Sequence, residues 1–229
     1  MASVRLHSIW RRIKGRCLYL LIAILVLLVF YPIVHDGPHE VVFMMVLNSV
    51  VLVAGTYAVS DKPVKVLIAA SIAAPQIVIT VIAYWLDASN EWKDLAGHAA
   101  AILLMIFYVY TISVVAAYVV QGSVTKDKIY GAISIYLLMG LAWASFYAYL
   151  GPESFAVAHG TMDPIYYSFT TLTTLGYGDI VPVTPGARSV ASLEAVAGVM
   201  FLAIAIARLL SLYQREGRAS TAKIGRAHV

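Results

Sequence analysis

The chain has 229 residues, of which 61% are hydrophobic and only 12% are charged, and its mean hydropathy is +0.83. Soluble domains are roughly 45–50% apolar and about 25% charged, so this composition excludes a soluble protein and predicts a membrane protein. The formal net charge of +4 does not indicate nucleic-acid binding, because most basic residues fall in segments that alternate to one side of the membrane, where they report membrane orientation.

Six apolar runs are long enough, at about 20 residues, to cross a hydrocarbon core roughly 30 Å thick. They are residues 17–34, 41–59, 64–86, 95–120, 129–150 and 187–213. Basic residues precede the first run, but no small-residue cleavage site follows it, so we predict a retained helix rather than a cleaved signal.

Lys and Arg are concentrated before the first run and after the second, fourth and sixth, whereas the opposite loops carry most of the acids. By the positive-inside rule, both termini are predicted to be cytoplasmic, in a plasma or inner membrane. The predicted segments are an N-terminal cytoplasmic segment at 1–16, a four-helix peripheral domain at 17–120, a linker at 121–128, a pore domain at 129–213 and a cytoplasmic tail at 214–229.

The connection between the fifth and sixth runs contains an apolar stretch at 164–175 that is too short to cross a membrane. We predict a re-entrant helix here. Asp163 can accept the free backbone N–H groups of its first turn, and Pro164 suits the first helical position because it has no N–H.

Two glycines, Gly176 and Gly178, then flank Tyr177. They forbid a regular helix and permit backbone angles that are closed to other residues. Non-helical backbone at membrane depth is tolerated only where protein buries it or where it lines a water-filled path. The pattern therefore predicts a polar conduit.

Residues 173–179, Thr-Thr-Leu-Gly-Tyr-Gly-Asp, resemble the signature of the potassium channel family, in which four copies build one filter. The resemblance covers residues 129–213 and implies an all-α, homotetrameric, non-enzymatic membrane channel with K⁺ as permeant ion and no cofactor. The implied filter residues are Thr174, Leu175, Gly176, Tyr177 and Gly178, with K⁺ held at the first four.

The motif departs from the family at Leu175, where Val or Ile is usual. We expect changed packing behind the filter with selectivity kept; a weakly selective cation channel is the alternative if Leu175 loosens the filter.

Further residues are expected to support the filter. Tyr166 and Tyr167 stand where many relatives carry a Trp pair that forms an aromatic cuff. Glu194 is unusual because an ionisable group at membrane depth normally faces a partner or water. We predict that it braces the filter from behind, through the hydroxyl of Thr170, Thr171 or Ser168. The full set is Tyr166, Tyr167, Thr170, Thr171, Asp179 and Glu194.

Two residues of the last helix have open alternatives. Gly198 falls where the family has an inner-helix glycine, so it is predicted to be either a gating hinge or a site of close helix packing. Arg208 is predicted to extend to the membrane interface, or to contact the gate at the inner mouth.

The layout resembles the six-helix, one-pore-loop prokaryotic type of channel, with a voltage-gated outline. However, no Arg or Lys occurs from Ala99 to Val120, where a voltage sensor would carry its arginine ladder. We therefore predict no strong intrinsic voltage sensing. An ion-coupled transporter subunit or a membrane enzyme is a weaker alternative, because no span holds a set of residues with catalytic spacing.

The last six residues, Ile-Gly-Arg-Ala-His-Val, are what ATC GGA AGA GCA CAC GTC would encode, a string that resembles a widely used sequencing adapter. We expect these residues to be read-through. On this interpretation a regulatory domain or its ligand site would be lost beyond Lys223.

Overall fold

The computed structural model describes residues 16–34, 40–58, 62–85, 90–121 and 125–226. Most of the predicted segment 1–16, part of the predicted linker and the last three residues lie outside this range. The helices are α1 (Arg16–Val34), α2 (Glu40–Ala58), α3 (Pro63–Trp85), α4 (Asn90–Val120), α5 (Lys126–Leu150), α6 (Pro164–Leu172) and α7 (Pro185–Arg226).

Each predicted apolar run coincides with one helix. Among the described residues, α1, α3, α4, α5 and α7 each contain a stretch long and apolar enough to cross a membrane, and α2 contains a shorter one at Phe43–Ala58. The helix α7 continues to Arg226, past the predicted end at residue 213. This continuation contains three Arg and two Ala, residues of high helix propensity, so it does not need to be apolar to stay helical.

The all-α prediction omitted a small antiparallel ribbon. Strand β1 (Phe155–Val157) follows a short 3-10 turn after α5 and pairs with β2 (Ile180–Pro182), with Ala156 opposite Val181. The backbone N–H of Ala158 also donates to the carbonyl of Asp179 at 2.8 Å. The ribbon therefore anchors the stretch of chain that follows residues 174–178.

Helices α1 and α4 pack on α5 of the same chain, whereas α2 packs mainly on α1 and α3 mainly on α4. The most deeply buried side chains of their common core, at most 2% exposed, include Leu20 and Ile24 of α1, Phe107 of α4 and Leu138 of α5. At one end of this core, Asp127 of α5 accepts from the backbone N–H of Cys17 at 3.2 Å and from the hydroxyl of Tyr118 at 3.0 Å. This carboxylate ties α1 and α4 to the start of α5.

The short helix α6 lies between α5 and α7. Gly140 of α5 permits this close approach, because a Cβ there would lie 2.7 Å from the ring of Phe169. Helix α6 is thus held by α5 on one side and by α7 on the other.

Candidate functional site

The N-terminus of α6 is capped by Asp163, which confirms the capping predicted from the sequence. Its Oδ1 accepts from the backbone N–H groups of Ile165 and Tyr166, both at 3.0 Å. The same oxygen accepts from the hydroxyl of Tyr31, at 2.8 Å. A residue of the first peripheral helix therefore contacts the cap of the re-entrant helix.

The loop after α6 folds back onto the last turn of that helix. The N–H groups of Leu175 and Gly176 both donate to the carbonyl of Thr170, at 2.8 and 3.1 Å, and the N–H of Thr174 donates to the carbonyl of Thr171 at 3.0 Å. These carbonyls belong to the helix end, where they have no partner within the helix. The backbone of Thr170 and Thr171 thereby fixes where the loop begins.

Along the loop, the sign of φ alternates. It is +60° at Thr174, +51° at Gly176 and +80° at Gly178, whereas Leu175 and Tyr177 have negative φ. Such an alternation turns successive peptide groups towards the same side, unlike an ordinary strand. A row of carbonyl oxygens facing one way can coordinate a dehydrated cation without a formal charge.

The loop is exposed in the single chain. Residues 173–178 are all exposed, and the side chains of Leu175 and Tyr177 are 55% and 69% exposed. The chain alone thus leaves most of the Leu175 side chain uncovered.

The Asp179 end of the loop is held by Tyr166, whose hydroxyl donates to Oδ2 of Asp179 at 2.7 Å. Tyr166 lies outside the five apolar spans. The hydrogen bond to Asp179 stabilises the neutral phenol and raises the pKa of Tyr166 to about 12. The Tyr167 side chain is buried instead. Its ring centroid lies 4.8 Å from that of Tyr147 and 5.1 Å from that of Phe155.

Glu194 is completely buried between α5, α6 and α7. Its Oε1 accepts from the hydroxyl of Ser168, and its Oε2 from the hydroxyl of Tyr147, both at 2.5 Å. The sequence predicted a contact between Glu194 and the hydroxyl of Ser168, Thr170 or Thr171. In the structure it is Ser168 that contacts Glu194. The hydroxyl of Thr170 bonds instead to the carbonyl of Tyr167, at 3.0 Å.

The sequence reasoning missed Tyr147, because nothing in the local pattern of α5 links it to a residue 47 positions later. It also missed Gly140, whose carbonyl oxygen lies 2.7 Å from the Ser168 hydroxyl, so Gly140 and Glu194 share the single hydrogen of that hydroxyl. An aromatic hydroxyl on a predicted span was the only available signal for Tyr147.

Gly198 packs against the end of α6. A Cβ at this position would lie 2.3 Å from the carbonyl oxygen of Leu172 and 3.0 Å from its Cδ1. The geometry supports the packing alternative, and the hinge stays a prediction.

Arg208, a residue of α7, lies beside the C-terminal end of α4. Its guanidinium donates to the carbonyls of Val119, at 3.3 Å, and of Val120. A cation is favourable at this position because the C-terminus of a helix carries partial negative charge.

Comparison with known proteins bears on this region. Residues 135–215, which contain most of α5, all of α6 and the loop, match the family model described as "Ion channel". The human potassium voltage-gated channel subfamily A member 7 is 33% identical over 92 residues, covering 38% of this chain and 20% of that protein. The chain is thus similar to an ion channel family over residues 135–215 and to potassium channels over 92 residues.

Two further potassium channels match over a stretch of the same length. Mouse subfamily A member 10 and human subfamily A member 4 are each 32% identical over 92 residues, or 38% of this chain, covering 18% and 14% of their own lengths. The chain thus spans a fifth or less of these relatives. No solved structure matches it. With its apolar helices, this potassium channel relative is a multi-pass membrane protein.

Proposed function

We propose that the chain is one subunit of a homotetrameric, potassium-selective channel that conducts passively. Each subunit contributes residues 174–178 as one strand of the filter, and the carbonyls of Thr174, Leu175, Gly176 and Tyr177, with the Thr174 hydroxyl, coordinate K⁺. The observation that carries this proposal is the alternating sign of φ along the loop.

The exposure of the loop supports a tetramer. Large apolar side chains such as Leu175 are uncovered in one chain, and neighbouring copies around a common axis would cover them. Side chains along α7, including Leu193 at 61% and Ile204 at 62% exposure, would then face either another subunit or lipid.

The charge pattern supports an orientation with both termini in the cytoplasm, in a plasma or inner membrane with six crossings. In this orientation α6 runs inward from Asp163, so its C-terminal end points its partial negative charge at the conduction path and favours a cation there.

The peripheral helices α1 to α4 form a scaffold without a voltage sensor. Residues 99–120 contain no Arg or Lys, and transfer of one charge through the membrane field is worth about 2.3 kcal/mol per 100 mV. Conduction is therefore expected to depend only weakly on voltage.

Glu194 has a bracing role in this proposal. It joins α7 to α6 through Ser168 and to α5 through Tyr147, so the helix that carries the filter is fixed on two sides. Asp179 and Tyr166 fix the outer end in the same way.

The test is reconstitution of the purified protein in a planar bilayer with opposing K⁺ and Na⁺ gradients, stepped through voltage. We expect a reversal potential near that of K⁺ and little change in open probability with voltage. A K⁺ to Na⁺ permeability ratio near one would favour the alternative of a weakly selective cation channel. The observation behind that alternative is Leu175, which stands where Val or Ile is usual. Leu175→Val should then restore selectivity. Absence of passive current would refute a channel.

A further inference from the structure

A crevice of about 390 Å³ lies between the C-terminal end of α4, the N-terminal half of α5 and the middle of α7. Its walls are aliphatic, and none of the described residues that line it is acidic. Two cationic side chains, Lys128 and Arg208, stand at one end, and Tyr136 and Phe201 lie at the other. The volume is within the range of roughly 300–1,000 Å³ typical of ligand pockets.

The two cations are positioned by the same helix end. Arg208 donates to the carbonyls of Val119 and Val120, and the ammonium of Lys128 donates to the carbonyl of Gln121. Both are cations at the same end of the crevice, so each repels the other. An anion at this end of the crevice would relieve that repulsion.

The length of the apolar wall bears on what the anion is attached to. From Lys128 to Tyr136 the crevice follows α5 for eight residues, or about 12 Å at the helical rise. One leaflet of a hydrocarbon core is about 15 Å deep. An apolar wall of this depth, with cations only at its end, matches an acyl chain below a charged headgroup.

We propose that the crevice binds one anionic phospholipid, with its phosphate at Lys128 and Arg208 and an acyl chain along the apolar wall. Basic pockets between membrane helices on the cytoplasmic side favour anionic headgroups. The inference rests on the proposed function for orientation alone. A lipid bound there contacts α4, α5 and α7 together, and so joins the peripheral helices to the inner helix.

Binding is measured by native mass spectrometry of the purified full chain, titrated with phosphatidylglycerol or with phosphatidylcholine of the same acyl chains. We expect tighter retention of phosphatidylglycerol, weakened at least tenfold by Lys128→Gln and by Arg208→Gln. Lys126→Gln is the matched control, because Lys126 is exposed two residues away and does not line the crevice.

A second variant separates lipid binding from misfolding. Ala132→Phe fills the crevice and leaves both cations in place, so it should weaken retention of phosphatidylglycerol although the charge is unchanged. Ala205→Cys in a Cys17→Ser background tests for a protein occupant by disulfide crosslinking of two chains.

Equal retention of the two lipids by the unmodified chain would overturn the proposal. So would a Lys126→Gln effect as large as that of Lys128→Gln, unchanged retention in Ala132→Phe, or crosslinking through residue 205. Because none of these readouts requires ion conduction, failure of the lipid site and failure of the channel function are separate results.

Discussion

The hydroxyl of Tyr31 donates a hydrogen bond of 2.8 Å to Asp163, 132 residues further along the chain. The first residue belongs to α1, and the second caps α6. Helix α1 therefore contacts the helix that precedes the proposed filter loop, at the end farthest from that loop.

Tyr31→Phe removes this donor without changing the ring. Asp163 keeps its two backbone donors, so α6 should still form, with a loss of about 1 kcal/mol in stability. The expected result is a lower thermal unfolding midpoint. Tyr19→Phe is the control, because Tyr19 lies on the same helix and is 59% exposed. Equal midpoints for the two variants would contradict the role of the contact.

Substitutions of Glu194 should separate shape from hydrogen bonding. In Glu194→Gln the amide oxygen can accept from Tyr147, and the amide N–H can donate to Ser168 while that hydroxyl donates to Gly140. We expect this variant to fold, with a changed open lifetime.

Glu194→Ala should be more damaging. It leaves the buried Tyr147 hydroxyl without an acceptor and opens a cavity, which together cost about 2–4 kcal/mol. Single-channel records and the yield of folded tetramer measure the two effects. Identical records for the unmodified chain, Glu194→Gln and Glu194→Ala would remove the bracing role.

Gly198→Ala should push α7 away from α6, because its Cβ would meet the carbonyl of Leu172 at 2.3 Å. We expect a lower unfolding midpoint and reduced assembly. Gly186→Ala is the control on the same helix, since no atom lies within 4 Å of a Cβ there. If Gly198→Ala is as stable as the unmodified chain but opens less often, the hinge and not packing explains this glycine.

The contact between Tyr166 and Asp179 should persist at alkaline pH. The pKa of the phenol rises from 10.0 to about 12, so the stabilisation is fully present below pH 10 and is lost as the pH rises through about 12. A tyrosinate absorbance titration should show one fewer phenol titrating near 12 in Tyr166→Phe than in the unmodified chain. A phenol that titrates near 10 and does not move in Asp179→Asn would contradict this.

The sequence predicted the helices well because charged or glycine-containing segments separate each apolar run from the next. It also predicted the start of α6, since the chemistry of Asp163 and Pro164 is local. The partners of Glu194 could only be narrowed to nearby hydroxyls, because the contact with Tyr147 depends on how α5 and α7 pack. The three-residue strands were missed because they are too short for a recognisable alternation of apolar and polar residues.

The core of α1, α4 and α5 is made within one chain. Docking of the peripheral helices is therefore a unimolecular step, whose rate does not change with the amount of protein in the membrane. In the proposed homotetramer, association of subunits is bimolecular or of higher order, and it slows on dilution. At low expression, monomers with a finished peripheral bundle and an unfinished conduction path should accumulate.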